Sequence, residues 1–355
     1  MTALRLLFVS DAPAVGGSEV YMREIIPPLR ARGIESEVAL PDLEGNRSLR
    51  NELVARGVKV YAYRQLSELP GGFDLTLLSS WNPGGYRKYY RHLPGPFAAL
   101  IHDQLMLYIP GLPQGVYRRF YEVLQARDIR QAEQVVTVSQ WAADYLRQHH
   151  RMQAAYAVPN GVNTEKFRPA NAQERQTLRR AYGFSRFTVL VPARLSIEKN
   201  HLMLLPVARR LPQLDFVLVG SGYMETPLKL LGTPNLRYFG KRSDMPLLYR
   251  AADAVFQPTI AENQSLATLE AMASGAALVT NDIPAQRELI ADRESGLLVG
   301  SGAAGYVAAL SRLAADPALR ARLGQAARQR VVDAHTLERN ADTFAQVVRQ
   351  IAAQR

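Results

Sequence analysis

Short apolar runs recur along the chain, separated by longer stretches in which apolar residues return at helical spacing. In the first half the runs are Leu4–Val9 (LRLLFV), Glu37–Leu40, Val58–Ala62, Leu75–Ser79, Ala98–Ile101 and Gln134–Val138. In the second half they are Thr188–Pro192, Asp215–Val219, Leu236–Phe239, Ala254–Phe256 and Ala277–Thr280. Strands alternating with helical patterns make βα units and a mainly parallel sheet. Helices are expected from the Gly16-Gly17-Ser18 loop to about Arg32, where Gly33 stops the first, and over Gln114–Gln131. Others are expected from Ser139 to about Gln148 and through the tail from about Gly305 to Arg355. The turn-rich connector Val158-Pro159-Asn160-Gly161-Val162 divides the series. At 355 residues the chain is too long for one ordinary core. The pattern therefore predicts an α/β protein of two similar halves with a cleft between them.

The stretch Pro258–Gly275 (PTIAENQSLATLEAMASG) carries the densest candidate chemistry. It follows a strand, turns at Pro258 and enters a helix near Ser265. Glu262 lies in the turn, and Glu270 lies in the helix that follows. Side chains in a helix tilt toward its N-terminus, so Glu270 leans back toward the turn. It shares its side with Ala267, Ala271 and Ser274, opposite the stripe Leu266, Leu269 and Ala273. Small neighbours permit close packing, and a partly buried Glu270 then needs a partner such as a sugar or ribose diol. Two solvated acids on a capped surface helix would produce the same sequence.

Composition narrows the choice. Apolar residues make up 47% and charged residues 21%, as in an ordinary soluble domain. No apolar run approaches a membrane span, and Leu4–Val9 is too short for a signal peptide. The absence of cysteine rules out disulfides and thiolate zinc sites and fits a reducing, cytoplasmic compartment. A formal charge of +11 favours anionic partners, although arginines on amphipathic helices account for much of it.

Several smaller motifs have a chemical and a plain reading. Gly16-Gly17, after the first strand, suits phosphate binding at a helix N-terminus or a simple turn. It lacks a P-loop lysine and the G-x-G-x-x-G spacing. Gly220-Ser221-Gly222 follows another strand, but Glu225 stands where a dinucleotide fingerprint needs glycine. Its two glycines could let backbone approach a nucleotide. Arg194 and Lys199 come directly after the strand Thr188–Pro192, where two cations can clamp a diphosphate. As an exposed pair, with Glu198 screening Lys199, they would do nothing of the kind. His102 holds the matching position in the first half, where histidines are more often structural. No D-x-D pair or metal-ligand spacing occurs, so no metal is expected, and no G-x-S-x-G elbow supports hydrolysis. Tyr86–His92 (YRKYYRH) and Tyr117–Tyr121 (YRRFY) interleave basic and aromatic residues. These suit an anionic membrane surface better than nucleic acid, since no nucleic-acid module is present. Aromatics packed inward beneath solvated arginines would also give the pattern.

In order, these pieces resemble the retaining GT-B glycosyltransferases of family GT4 over nearly the whole chain. The resemblance runs from Gly16-Gly17 through His102-Asp103, Val138-Ser139 and VPNGVNTEKFRP at Val158–Pro169. It continues with ARLSIEKN at Ala193–Asn200, LVGSG at Leu218–Gly222 and FGKRSDMPLLYRAADAVFQPT at Phe239–Thr259. It ends with the E-x7-E segment Glu262–Glu270, EAMASG, and SGLLV at Ser295–Val299.

The resemblance implies a GT-B fold of two Rossmann-like domains facing across a cleft. Their bounds would be residues 1–162 and 163–336, with a helix over about 337–355 crossing back to the first. It implies that Arg194 and Lys199 bind the donor diphosphate and stabilise the departing nucleoside diphosphate. Glu270 would hold the ribose, and Glu262 would lie near the donor sugar. Asn263, Gln264, Ser265 and Leu266 would offer main-chain N–H groups, Gly17 would meet the diphosphate, and His102 would contact the transferred sugar. UDP-glucose is the favoured donor, with GDP-mannose and UDP-N-acetylglucosamine as alternatives. The acceptor would be a glycan, lipid-linked sugar or glycolipid, with peripheral contact at the inner membrane face and no cofactor or metal. One departure is the turn Glu262-Asn263-Gln264-Ser265, where many relatives have Glu-Gly-Phe-Gly. It leaves room for an inactive nucleotide-sugar-binding or regulatory protein of the same fold. A nucleic-acid-binding protein and a sugar-nucleotide epimerase are the remaining alternatives.

Overall fold

The computed structural model describes residues 3–82, 84–109, 113–132, 134–300 and 302–354. The terminal Arg355 of the predicted tail helix lies outside the described residues. Among them, one sheet holds β1 (Leu4–Ser10), β2 (Ile34–Pro41), β3 (Val60–Tyr63), β4 (Leu75–Ser79), β5 (Phe97–Ile101), β6 (Val135–Thr137) and β7 (Ala155–Ala157). The order is β3-β2-β1-β4-β5-β6-β7, parallel throughout. A second parallel sheet holds β8 (Thr188–Pro192), β9 (Asp215–Val219), β10 (Leu236–Gly240), β11 (Ala254–Gln257), β12 (Leu278–Asn281) and β13 (Leu297–Val299). Its order is β10-β9-β8-β11-β12-β13.

The strand runs predicted from the sequence all become strands. The two that were not predicted, β7 and β13, are three residues each. A segment that short has no local signal; neighbouring strands define it. The expected helix at Gln114–Gln131 is interrupted. Its first part is Gln114–Tyr121, a π-helical turn fills Glu122–Ala126, and short helical turns run to Ala132.

Each sheet is covered on both faces, which is why its strands read as unbroken apolar runs. Alternation separates the faces: Leu6 and Phe8 enter one core with Met22, Ile25 and Phe344. Leu7 and Val9 enter the other with Leu78, Tyr86 and Tyr121. In the second sheet Val189 and Val191 pack with Phe216 and Phe256, and Leu190 packs with Val217 and Leu269.

The chain forms two compact units, Met1–Leu105 with Pro113–Gly161 and Leu337–Arg355, and Met106–Leu112 with Val162–Thr336. Residues 106–109, counted with the first half in the sequence, thus group with the second. There the Tyr108 amide donates to the Ile260 carbonyl at 2.8 Å. Val162 groups there too, and its amide donates to the His335 carbonyl at 2.9 Å, so the chain enters and leaves this unit side by side. The helix Leu337–Ala353 belongs to the first unit, where Arg32 reaches Asp342 at 2.6 Å and Glu338 at 2.9 Å. Among the described residues, no helix is long and apolar enough to cross a membrane.

Candidate active site

Strand order in the second sheet reverses at β8, which lies between β9 and β11. Ligands of open parallel sheets bind beyond the carboxyl ends of strands at such a reversal. The loops leaving β8 and β11 there are laced together. The Ile260 amide donates to the Glu198 carbonyl at 2.9 Å, and the Asn200 side chain donates to the Pro258 carbonyl at 3.1 Å. This lacing brings Lys199 against Glu262 as an ion pair, with 17% and 11% of their side chains exposed. Arg194, more open, lies 2.9 Å from Glu198.

The pairing differs from the plain reading of the sequence, in which Glu198 would screen Lys199. Glu198 takes Arg194 and the Ser196 hydroxyl, while Lys199 takes Glu262, 63 residues away. Burial pushes the Glu198 carboxyl up, but the Ser196 and Arg194 hydrogen bonds outweigh it and hold its pKa below the usual value. Each cation therefore faces a carboxylate, with which any anionic ligand would compete for it.

The turn after β11 feeds the helix Leu266–Ala273, with Ser265 as its N-cap accepting from the Thr268 amide at 3.2 Å. The other amides of that first turn have no acceptor within the helix and can serve phosphate or sugar oxygens. Glu270 is half-buried, as expected from its small neighbours, and the Tyr249 hydroxyl donates to it at 3.2 Å. Asn263, Gln264 and Ser265 are buried. The Gln264 amide reaches Glu288 at 2.9 Å, so the bulk that replaces glycine is tied to the helix Pro284–Leu289. Behind the turn, the Thr268 hydroxyl lies 2.6 Å from Gln257 and 3.2 Å from Gln286. Sequence reasoning missed Tyr249 and this glutamine pair, because nothing local marks them as neighbours of the turn.

Gly220 and Gly222 are also required by the packing of the loop that carries them. A Cβ at Gly220 would lie 1.9 Å from the Ala193 carbonyl oxygen, and one at Gly222 would lie 2.3 Å from that of Leu195. Both have positive φ, +144° and +156°. The glycines let the loop after β9 press against the backbone that carries Arg194. The Leu195 amide accordingly donates to the Ser221 carbonyl at 3.0 Å.

The other predicted site residues belong to the first unit, at the strand ends of its own sheet. Gly16 precedes the helix Gly17–Arg30, and its amide donates to buried Glu19 at 2.9 Å. A Cβ on Gly16 would meet the Trp81 ring at 2.3 Å, whereas one on Gly17 would meet nothing within 4 Å, leaving that helix start open. His102 follows β5 beside the Tyr21 ring, centroids 5.2 Å apart, with its Nε2 buried and unpaired. Burial holds its pKa down to about 4, so the ring is neutral at pH 7. Burial pushes the adjacent Asp103 up to about 7, with Tyr121 pulling it down and Asp11 pushing it further up. Asp11 itself accepts from the Ser80 hydroxyl at 2.7 Å and the Trp81 amide at 2.6 Å. A strand end carrying His-Asp was the only trace of this cluster in the sequence. Among the described residues, no group of three or more His, Asp or Glu side chains could hold a metal ion.

The two basic-aromatic segments divide. Tyr86, Tyr90 and Tyr121 are buried, which is the plain reading of their pattern. Phe120 is exposed in line with Val116 and Val123 at helical spacing, beside exposed Arg118 and Arg119.

The sequence model described as Glycosyl transferases group 1 matches residues 174–330, and that described as Glycosyltransferase Family 4 matches residues 15–166. The putative glycosyltransferase EpsD of Bacillus subtilis is 33% identical over 199 residues, covering 52% of this chain and 52% of that protein. The match thus spans about half of that relative's length. An alpha-D-kanosaminyltransferase of Streptomyces kanamyceticus is 25% identical over 94% of this chain and 99% of its own. Anabaena HepE, solved in complex with UDP-glucose, superposes with a TM-score of 0.79 over 99% of this chain and 100% of that chain, at 20% identity. That likeness shows the fold: α/β, with the two parallel sheets of GT-B enzymes.

Proposed function

This chain belongs to the family 4, group 1 glycosyltransferases, and we propose that it moves a sugar from a nucleotide-sugar donor to a hydroxyl of a glycan, lipid-linked sugar or glycolipid. The observation that carries this reading is the convergence of Arg194, Lys199 and Glu262 beyond β8 and β11, with Glu270 in the helix that follows.

In the proposed reaction Arg194, Lys199 and the amides at the start of helix Leu266–Ala273 hold the donor diphosphate. They stabilise its charge as the anomeric C–O bond breaks and an oxocarbenium-like centre forms. The acceptor hydroxyl attacks from the same face, its proton passing to the departing phosphate oxygen, so configuration is retained. No covalent enzyme intermediate is needed, unlike the two-carboxylate route of retaining glycosidases. The two cations and helix amides supply the charge stabilisation that a metal ion would otherwise give, so the reaction is proposed to be metal-independent. Glu270 reads the ribose hydroxyls, and Glu262 sits near the sugar. UDP-glucose is the donor we favour over GDP-mannose and UDP-N-acetylglucosamine.

The test is a thermal-shift screen of UDP, GDP, ADP and their common sugar conjugates, run in EDTA. A ligand at about 100 times its Kd stabilises the folded state by about 2.7 kcal/mol. One nucleotide family should raise the Tm, and Glu270→Ala should abolish that rise. No shift with any of them would remove the nucleotide site. Stabilisation without turnover, or with slow donor hydrolysis alone, would instead favour an inert binding protein, the reading that the Asn263-Gln264-Ser265 turn supports.

The exposed line Val116, Phe120 and Val123 beside Arg118 and Arg119 supports peripheral contact with an anionic membrane, and with it a lipid-linked acceptor. Co-sedimentation with vesicles containing anionic lipid should fall severalfold in Phe120→Asp. Equal sedimentation of both proteins would dismiss that contact.

A further inference from the structure

A pocket of about 280 Å3 opens in the second unit, on the other side of its sheet from the Glu270 helix. Its wall residues Met203, Met224 and Tyr306 pack with the cluster around Val189 and Phe256. The Glu270 helix packs through Leu269 with Leu190 and Val217 on the opposite face. Its mouth is rimmed by Ile109, Ile197 and Leu202, which are 39%, 62% and 47% exposed. Apolar side chains held in water around an apolar cavity mark a surface that gains by being covered.

Inside this wall lies His201, only 2% exposed, with neither ring nitrogen completing a hydrogen bond. Burial drives its pKa down to about 4; the Ser196 main chain pulls slightly the other way without a hydrogen bond of good geometry. The ring is thus a neutral imidazole, with one donor and one acceptor to offer. Buried polar atoms are rarely left unpaired, and the two nitrogens of His201 call for a partner. Among the described residues, no side chain of Asp, Glu, Lys or Arg lines the pocket. The described lining offers a charged ligand no ion-pair partner, which disfavours a nucleoside diphosphate. The volume sits at the small end of ligand pockets, suited to one ring or a short chain.

We propose that this pocket binds a neutral, mostly hydrocarbon ligand whose single hydroxyl pairs with His201. Such a ligand touches the loops that carry the ion pair Lys199–Glu262, because Ile197 and Ile260 form part of its wall.

The test uses 4-ethylphenol as probe and ethylbenzene, which lacks the hydroxyl, as control, titrated against the full chain by saturation-transfer NMR. Both should bind saturably at one site. His201→Phe should weaken 4-ethylphenol about tenfold, the scale of one net hydrogen bond, and leave ethylbenzene unchanged. Met203→Trp should fill the pocket and abolish both. Ile197→Glu, on the exposed rim where folding is not at stake, should weaken both severalfold. Absence of saturable binding, or undiminished binding in Ile197→Glu, would overturn the site. Equal loss of both ligands in His201→Phe would overturn the anchoring role of the imidazole.

Discussion

Arg194→Ala is expected to lower kcat by about 10²–10³-fold, the effect of removing one preorganised group that faces developing negative charge. The same change should hardly touch stability. Arg194 is 46% exposed and its ion pair with Glu198 spans one short turn, so the pair contributes under about 1 kcal/mol. Glu198 does not become stranded, because the Ser196 hydroxyl still donates to it. The measurement is kcat with the donor identified by the nucleotide screen, alongside the Tm of the same preparation. Arg194→Lys should recover only part of the rate, since a lysine cannot present the planar fork that grips two phosphate oxygens. Near-normal turnover in Arg194→Ala would remove this residue from the proposed chemistry.

Lys199→Ala is expected to lower turnover comparably and, unlike Arg194→Ala, to destabilise the fold. Its partner Glu262 is 11% exposed and would lose its ion-pair partner in a largely dry site. Breaking a buried pair from one side costs about 2–4 kcal/mol, taken at the lower end because both side chains keep some exposure. For a unit of this size that corresponds to a fall in Tm of roughly 5–15 °C. Scanning calorimetry of Lys199→Ala and of Lys199→Met with Glu262→Leu separates the two effects. The double variant should regain much of the stability, because no charge is left unpaired, and should regain none of the turnover. An unchanged Tm in Lys199→Ala would show that the pair holds nothing in place.

The two variants together address why the cations face carboxylates at all. Lysine and glutamate on separate loops fix each other before a ligand arrives. In the proposed reaction a diphosphate would then enter a geometry already set, and the carboxylates would limit how tightly the product nucleotide is held.

Much of this was present in the chain itself. Unbroken apolar runs such as Thr188–Pro192 and Leu75–Ser79 specify strands buried on both faces, and these imply a parallel α/β sheet. The order of motifs from Gly16-Gly17 to SGLLV identified the family. A helix start near Ser265 and Glu270 among small residues were also readable, since both depend on neighbours within one or two helical turns. Partnership across the sheet was not. That Lys199 pairs with Glu262, 63 residues away, depends on β8 and β11 being adjacent, a fact of strand order that no local spacing encodes; the Arg194–Glu198 pair lies within one loop. The same holds for Gly220 and Gly222, whose lack of a side chain matters because the backbone of Ala193 and Leu195 presses against them. Residues 106–109 belong with the second unit, Asp103 is pushed up to about 7, and His201 lies unpaired in the wall of a mostly apolar pocket. Sequence determined the elements and the family, because hydrophobic period and turn chemistry are local. Tertiary structure decided the partners, the burial and the charge states, because desolvation and ion pairing depend on whichever distant segment folds against a residue.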